Sequence, residues 1–471
     1  SVYYGAYSLK KTIVPAPTVT AVAPEGTAGV HLGEATFTAT ATENPTGWNW
    51  DFGGGATPNT STAAAPTVTL GSPGTYTGTV TASNANGTSA AFPFSYAVAT
   101  EPSWTRYNLS NVKAPQLTTA VIDGRPAFAY HPSEAASGGY WYATAADPTA
   151  AAQWVHSAVP DTTAGYPQAL IDYNGLPVVA YYSSAGGDHQ LRMLLGQTAS
   201  PTTAAHWSSH TLYDPAGSGV EAGVTVHNGL LAVLYSGADA ADDGLLVART
   251  SIATPTAASD WAIHRAVVGG GTQGPVDLDV VNGRLAGTYM VATEEIADSV
   301  GYLRATADDP TEASHWAGHE IARANIPAGA KLLVAGGLPI VAFTKANGVI
   351  GIGENPGLYI ARTATATPSG AEDWTYHRLA AGGITDRWDW DACLQGGRLT
   401  YASTDPANNL IRIFRALTTE PSGAADYRTI TQFNASQTWS AVGVSAGGGS
   451  GTVVTHQPTQ LTQVGETNLA W

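Results

Sequence analysis

A repeat of about 54 residues constrains what residues 101–471 can fold into. Each repeat contains four strand-like segments, and the first two are joined by an Asn-Gly or Gly-Gly pair, which favours a tight hairpin turn. Four-stranded units at this spacing predict the blades of a β-propeller. The repeat is marked by an aromatic residue at seven positions: Trp104, Trp154, Trp207, Trp261, Trp316, Trp374 and Tyr427.

The two ends of the repeat region predict how the ring closes. First, second and third strands occur seven times, and the last set is assigned to residues 440–446, 451–457 and 467–471. This set lacks a fourth strand, whereas a lone copy of the fourth strand, "SWTRYNLS", begins at Ser103. The sequence therefore predicts a seven-bladed propeller over residues 101–471, closed by an outer strand at residues 103–110.

Residues 15–99 alternate between small apolar and polar residues and are interrupted by turns every 8 to 12 residues, a pattern typical of a β-sandwich. The stretches "WNWDFGGG" and "GTYTGTVTASNANG" resemble those of a polycystic-kidney-disease (PKD) type domain, an immunoglobulin-like module. The resemblance implies a spacer, or a domain for adhesion or ligand presentation. Gly54 replaces a second Asp of the family, which weakens any calcium-like role of that turn. The matching positions are Trp50, Asp51, Phe52, Gly53, Gly74, Tyr76 and Val80.

Residues 1–14 are aromatic and apolar and precede a Pro-rich junction. A segment this short has no core of its own, so we expect it to lie against another surface. We interpret it as an attachment arm for a neighbouring subunit, or as an edge strand of the next domain. The expected fold class is all-β throughout.

Charge and composition exclude several classes of function. The net charge is −16 and only 12% of residues are charged, so nucleic acid and anionic membranes are not expected partners. No apolar run is long enough to span a membrane, and the single Cys393 excludes an intrachain disulfide framework. Ser1 fits either a cleaved signal peptide or a trimmed initiator Met.

A Trp-x-x-His pattern recurs in the fourth strands and could suggest a metal site. Residues three apart on a strand point to opposite faces, and equivalent positions in neighbouring blades lie too far apart to share one ion. We therefore expect each Trp to pack between blades and each His to be hydrogen-bonded, with no metal. The pairs are Trp207/His210, Trp261/His264, Trp316/His319 and Trp374/His377.

Four arginines that close third strands are a second candidate site, because sialidases are propellers that hold a substrate carboxylate with three arginines. These positions are spread around the ring, and the Ser-x-Asp-x-Gly-x-Thr-Trp box of sialidases is absent. Ion pairing or stacking near the following loop is the expected role. The residues are Arg249, Arg304, Arg362 and Arg415.

The loops that break the repeat are the preferred ligand-binding candidates, because function tends to be carried by loops on a regular scaffold. Aromatic rings beside carboxylates suit stacking on sugar rings and hydrogen bonds to hydroxyls. These acidic loops leave Ca²⁺ binding open, although no EF-hand spacing is present and no cofactor is expected. The candidates are Tyr166, Glu221, Asp239, Asp242, Asp243, Trp388, Asp389, Trp390, Asp391 and Trp439.

The repeat is also similar to uncharacterised repeat proteins of bacteria and phages, which implies an extracellular, cell-surface or virion setting. On these grounds the sequence predicts a non-enzymatic binding or adhesion protein without catalytic residues, whose propeller presents loops to glycans or to a surface protein. A purely structural subunit is the first alternative. A propeller glycoside hydrolase or lyase is the second, since carboxylate pairs could be drawn from the same loops.

Overall fold

The computed structural model forms two compact units, which within the described residues are 15–99 and 104–466. No helix among these residues is long and apolar enough to cross a membrane. The structure describes residues 15–30, 34–99, 104–110, 116–132, 138–160, 165–184, 189–214, 221–237, 244–268, 272–291, 299–323, 329–345, 357–381, 390–395, 397–405, 410–416, 421, 427–434, 441–447, 450–457 and 460–466.

The first unit is a β-sandwich. One sheet has the order β2-β11-β9-β5-β7 with β10 beside β9, and β11 runs parallel to β2. Two smaller sheets have the orders β3-β8-β6 and β1-β4. The strands are β1 (Val19–Ala23), β2 (Gly26–Val30), β3 (Glu34–Thr36), β4 (Thr38–Ala41), β5 (Gly47–Asp51), β6 (Ala56–Thr57), β7 (Thr60–Ser61), β8 (Thr67–Leu70), β9 (Gly74–Asn84), β10 (Gly87–Thr88) and β11 (Phe92–Ala99).

Aromatic residues from the "WNWDF" stretch form the centre of the sandwich core. Trp50 and Phe52 are buried and their rings stack at a centroid distance of 5.9 Å. The Tyr96 hydroxyl donates a 2.7 Å hydrogen bond to the Phe52 carbonyl, which ties β11 to the turn that follows β5. In that turn the Asp51 carboxylate accepts the Gly53 N–H at 2.8 Å. Asp51 therefore acts as a turn-stabilising residue.

The second unit consists of seven four-stranded antiparallel sheets within the described residues. In each of the first six sheets, four consecutive strands follow one another from the innermost to the outermost. In the seventh sheet the outermost strand comes from the N-terminal end of the unit and the other three come from its C-terminal end. The strands are β12 (Trp104–Ser110), β13 (Gln116–Ile122), β14 (Arg125–His131), β15 (Gly139–Ala143), β16 (Trp154–Ala158), β17 (Gly165–Tyr173), β18 (Leu176–Ser183), β19 (Gln190–Gly196), β20 (Trp207–Tyr213), β21 (Ala222–His227), β22 (Leu230–Gly237), β23 (Gly244–Thr250), β24 (Trp261–Val268), β25 (Thr272–Val281), β26 (Arg284–Val291), β27 (Ser299–Ala305), β28 (Trp316–Arg323), β29 (Ala330–Ala335), β30 (Leu338–Lys345), β31 (Gly357–Thr363), β32 (Trp374–Ala381), β33 (Trp390–Gln395), β34 (Arg398–Asp405), β35 (Leu410–Ala416), β36 (Tyr427–Asn434), β37 (Ala441–Gly447), β38 (Ser450–Gln457) and β39 (Gln460–Glu466).

The innermost strands close into a ring. They contact one another in the order β13, β17, β21, β25, β29, β33 and β37, and β37 contacts β13 again. The all-β prediction of a sandwich followed by a propeller is confirmed. Short 3₁₀ turns precede five of the outer strands: Ala151–Gln153, Ala204–His206, Ala258–Asp260, Ala313–His315 and Ala371–Asp373.

The lone N-terminal strand closes the ring as the sequence predicts. β12 pairs with β39 in antiparallel register, with Trp104 opposite Glu466, and the sheet has the order β12-β39-β38-β37. The assignment of the third strand to residues 467–471 was wrong. Gln457 pairs with Gln460, so the chain turns at once after β38 and the third strand is 460–466. Residues 467–471 and 1–14 lie outside the described residues.

Two-residue turns join the first and second strands of the described hairpins and fix how the residues of these two strands pair. Asn174-Gly175, Asn228-Gly229 and Asn282-Gly283 have positive φ at both residues, as type I′ turns require. Gly336-Gly337 has the same geometry, and Asp123-Gly124 supplies it in the first sheet. Because the turn position is fixed, the residues of each first strand that face the ring axis can be counted back from it.

The Trp and His residues of the Trp-x-x-His pattern form hydrogen bonds between the outer strands of neighbouring sheets, which we call Trp–His ties. Each Trp indole N–H donates to the His Nε2 of the preceding outer strand: Trp261 to His210 at 2.9 Å, Trp316 to His264 at 3.1 Å and Trp374 to His319 at 2.9 Å. Where Ser157 replaces the His, the Trp207 indole donates to its hydroxyl at 3.3 Å. The expectation of a packed Trp and a hydrogen-bonded His therefore agrees with the structure for His210, His264 and His319. The next outer strand carries Tyr427 in place of Trp, and its ring lies 5.9 Å from that of His377.

These ties require neutral imidazoles, because a protonated Nε2 cannot accept a hydrogen bond. Burial lowers the pKa of His210 and His319, and burial together with the Arg249 and His315 charges lowers the pKa of His264 to about 4. An unfolded histidine binds its proton near pH 6.5. Between pH 6.5 and about 4 the unfolded chain therefore holds more protons, and acidification favours unfolding.

We predict that His264→Gln reduces the loss of stability between pH 7 and pH 4.5 by about 1–2 kcal/mol, because the Gln carbonyl oxygen accepts the Trp316 N–H without binding a proton. Urea unfolding at both pH values measures this difference. His206→Gln is the matched control, since His206 adjoins Trp207 in sequence but accepts no indole N–H; the Trp207 indole donates to Ser157 instead. Equal pH dependence in the wild-type protein and in His264→Gln would contradict the prediction.

Candidate functional site

The ring encloses a central cavity of about 350 Å³, which we call the channel. Its described wall is built from the first strands of six sheets: β13, β17, β21, β25, β29 and β33. Its volume falls in the range of about 300–1,000 Å³ that small-molecule sites usually occupy. Apolar side chains alternate around it with polar ones, and the polar members are Thr118, Thr119, Gln168, Thr225, Asp277, Asp279, Lys331 and Asp391.

Three charged residues occupy equivalent positions on neighbouring first strands. Asp277, Lys331 and Asp391 each stand five residues before the first residue of the following turn, at positions 282, 336 and 396. Since alternate residues of a strand share one face, Asp279 faces the same way as Asp277, about 7 Å further along β25. The channel thus gathers three carboxylates and one ammonium on three adjacent strands.

Asp277 is held by backbone donors from two sheets. Its Oδ1 accepts the Leu278 N–H at 2.9 Å, and its Oδ2 accepts the Leu332 N–H of β29 at 2.9 Å. Burial raises the pKa of Asp277 to about 6, and this effect exceeds the opposite effects of Lys331 and the two N–H donors. The residue is half-buried and lines the channel. Asp277 can therefore donate a proton near neutral pH.

Lys331 joins two of the carboxylates. Its ammonium forms an ion pair with Asp391, which also accepts the Ala392 N–H at 2.8 Å and the Thr119 hydroxyl at 3.4 Å. Burial alone would lower the pKa of Lys331, but the charges of Asp391 and Asp277 raise it. Lys331 consequently stays protonated, and its charge lies between the two carboxylates.

Asp279 forms the next level of the channel. Its Oδ1 accepts the Val280 N–H at 2.7 Å, and a side-chain hydrogen bond joins it to Thr225 on β21. Burial raises the pKa of this carboxyl too.

Cys393, which lies near Asp391 and Lys331, is no nucleophile at neutral pH, because burial raises the pKa of its thiol to about 12.

Among the ten residues proposed from sequence, the structure brings Trp390 and Asp391 to the channel. Trp390 is only 5% exposed and packs in the core between β29–β31 and β33–β36, so its ring does not offer a free stacking face. Tyr166 is half-buried against the Tyr182 ring at 5.0 Å, and the N–H of half-buried Glu221 donates to Ser236. The other candidates lie outside the described residues: Asp239, Asp242, Asp243, Trp388, Asp389 and Trp439.

The sequence-based search missed Asp277, Asp279 and Lys331 because it took its ligand-binding candidates from loops and did not weigh charged residues on the first strands. A usable signal was present, since only 12% of the chain is charged and these residues fall inside otherwise apolar first strands. Each of Asp277, Lys331 and Asp391 lies five residues before a turn, and this shared spacing would have predicted equivalent positions on three first strands.

The described third-strand arginines lie away from the channel. Arg249 forms an ion pair with Asp309 and contacts His227, while Arg304 donates to the Val281 carbonyl at 3.3 Å. Arg415 donates to Gln395. Within the described ranges, no group of three His, Cys, Asp or Glu side chains has a geometry that could hold a metal ion.

Comparison with known proteins gives a family match for the first unit and distant structural similarities for the chain as a whole. A family model described as a PKD domain matches residues 14–96, in agreement with the resemblance read from the sequence. No curated protein matches the chain. Solved structures with a similar arrangement include the phage phi92 endosialidase, at 11% identity over 81% of this chain and 71% of that chain, with a TM-score of 0.45.

Two further solved structures match at similarly low identity. A Trypanosoma rangeli sialidase matches at 12% identity over 78% of this chain and 60% of that chain, with a TM-score of 0.44. An endo-arabinase from Bacteroides thetaiotaomicron matches at 12% identity over 53% of this chain and 94% of that chain, with a TM-score of 0.33. Similarity at this level concerns the fold and does not transfer a substrate.

The expectation that the protein is not an enzyme is contradicted by these comparisons. The three structures named above are an endosialidase, a sialidase and an endo-arabinase, so a repeated four-stranded architecture gives no ground for excluding catalysis. The prediction was wrong because it sought functional carboxylates in the loops at the mouth of the channel and not on the first strands that line it.

Proposed function

We propose that the protein is a glycan-active enzyme that hydrolyses a glycosidic bond in the channel of its propeller. The observation that carries this proposal is the convergence of Asp277, Lys331 and Asp391 in a cavity of about 350 Å³. Hydroxyl, amide and carboxylate groups alternate there with Leu, Ile and Val side chains. Such a wall suits a sugar, which has polar edges and apolar C–H faces.

Glycoside hydrolysis needs one carboxyl group that donates a proton and one carboxylate that activates the nucleophile. Asp277 fits the first role, because burial raises its pKa to about 6. Asp391 fits the second role, since its charge is balanced by Lys331 and its orientation is fixed by Thr119 and the Ala392 N–H. These donors hold Asp391 in place while the sugar enters.

The proposed reaction proceeds without a cofactor. Asp277 transfers its proton to the glycosidic oxygen as the bond from that oxygen to the anomeric carbon breaks. Asp391 accepts a proton from the water molecule whose oxygen bonds to the same carbon. The products are two saccharides, and a later proton exchange with water restores both carboxyl groups.

We expect Asp277→Asn to lower kcat/KM by about 100-fold or more, because an amide cannot donate the proton. Release of reducing ends from a panel of polysaccharides measures this loss. In the wild-type protein the rate should fall as pH rises through about 6, where Asp277 loses its proton. Asp308→Asn is the matched control, since this exposed carboxylate pairs with Arg284 outside the described wall of the channel. Full activity of Asp277→Asn would refute the assignment, as would binding of glycans without turnover by the wild-type protein.

The setting that we propose is extracellular, on a cell surface or on a virion, where long glycans are accessible. In this arrangement the PKD-like domain at residues 15–99 acts as a spacer, and residues 1–14 attach the chain to a neighbouring subunit. The aromatic, apolar composition of residues 1–14 supports this role, because so short a segment has no core of its own.

Deletion of residues 1–14 should convert an assembled protein into a monomer while its melting temperature changes little. Light scattering coupled to size-exclusion chromatography compares the two masses, with the full chain as the reference. A monomeric full chain would contradict the attachment role, and so would a truncated chain that still assembles.

A further inference from the structure

The charges around the channel carry an inference about the class of sugar, which rests on the proposed function of the same site. The described wall contains three carboxylates and one ammonium, and neither Arg nor His occurs among its described residues. Acidic side chains therefore outnumber basic ones by three to one in the described wall.

The one ammonium of the described wall is already engaged. Lys331 forms its ion pair with Asp391 and lies beside Asp277, so binding an anionic sugar would require it to leave a carboxylate unpaired in a confined space. Breaking this half-buried ion pair would leave the Asp391 carboxylate partly desolvated and without its counter-charge, which is unfavourable. A sugar carboxylate or sulfate would also be repelled by Asp279, and such repulsion is poorly screened inside a protein.

Asp279 offers the complementary attraction. Among the described residues, the Asp279 carboxylate is hydrogen-bonded to the Val280 N–H and the Thr225 side chain, and it lies about 7 Å from Asp277 along the same strand face. A sugar whose glycosidic oxygen accepts a hydrogen bond from Asp277 thus brings a substituent of its ring close to Asp279. An ammonium at that substituent gains a charge-assisted hydrogen bond.

We propose that the channel accepts glycans of amino sugars with free amino groups and excludes glycans that carry carboxylates or sulfates. Asp279 binds the ammonium group of the sugar, and Lys331 keeps its ion pair with Asp391 when the sugar is bound. The acidic wall thus determines the substrate class, whereas Asp277 and Asp391 carry out the chemistry.

Isothermal titration at pH 6 tests this proposal with three oligosaccharides of equal length: chitosan, its fully N-acetylated form and a polygalacturonate. The Asp277→Asn protein provides a background without turnover. Chitosan should bind about tenfold more tightly than the N-acetylated form, and polygalacturonate should not bind. The chitosan preference should also weaken as salt is raised.

Adding Asp279→Asn should abolish the preference for chitosan, whereas adding Asp308→Asn, outside the described channel wall, should retain it. Circular dichroism melting confirms that each variant is folded. Equal or tighter binding of polygalacturonate would overturn the proposal, and so would a chitosan preference that survives Asp279→Asn.

Turnover by the wild-type protein separates this inference from the proposed function. If chitosan binds preferentially but no glycan is cleaved, the charge selection stands and the hydrolytic function fails. If glycans are cleaved without regard to charge, hydrolysis stands and the charge selection is overturned.

Discussion

Closure of the ring by strands from both ends of its chain segment is the constraint on which the propeller depends. β12 pairs with β39, so the last sheet is completed by residues far away in sequence. Because the first strands then contact one another around the full circle, their inward-facing side chains converge on one axis. The channel and its charges exist only as a consequence of this closure.

Two kinds of polar contact join the sheets at different radii. At the outer strands the Trp–His hydrogen bonds tie neighbours together through neutral imidazoles, as in Trp316 with His264. At the inner strands Asp277 accepts a backbone N–H of the next sheet, and Lys331 pairs with Asp391 of the sheet after it. The outer ties serve packing alone, whereas the inner contacts leave titratable groups facing a cavity. This difference is why the candidate site lies on the axis.

Sequence reasoning predicted the architecture well because its signals are local. Turn pairs such as Asn228-Gly229 have a preferred geometry, and the spacing of aromatic residues reports the repeat directly. The same reasoning showed that Trp261 and His264 face opposite ways, but the identity of each partner depends on the lateral packing of neighbouring sheets. The final third strand was misplaced because its position depends on the short turn after β38, where Gln457 pairs with Gln460, and no Asn-Gly or Gly-Gly pair marks that turn in the sequence.

The candidate site was harder to predict, because its members are separated by 54 to 114 residues and meet only after the ring closes. Asp391 was identified for its place in an aromatic, acidic loop, and the structure assigns it to the channel wall with Lys331. The pKa of Asp277 is raised by burial, an effect of tertiary structure that no local pattern records.

The position of a bound oligosaccharide tests the central claim most directly. A crystal structure of the Asp277→Asn protein soaked with a chitosan oligosaccharide should show sugar in the channel, with a glycosidic oxygen beside residue 277 and an amino group beside Asp279. Sugar bound at the outer loops near Tyr166 and Glu221, with the channel free of ligand, would contradict the account.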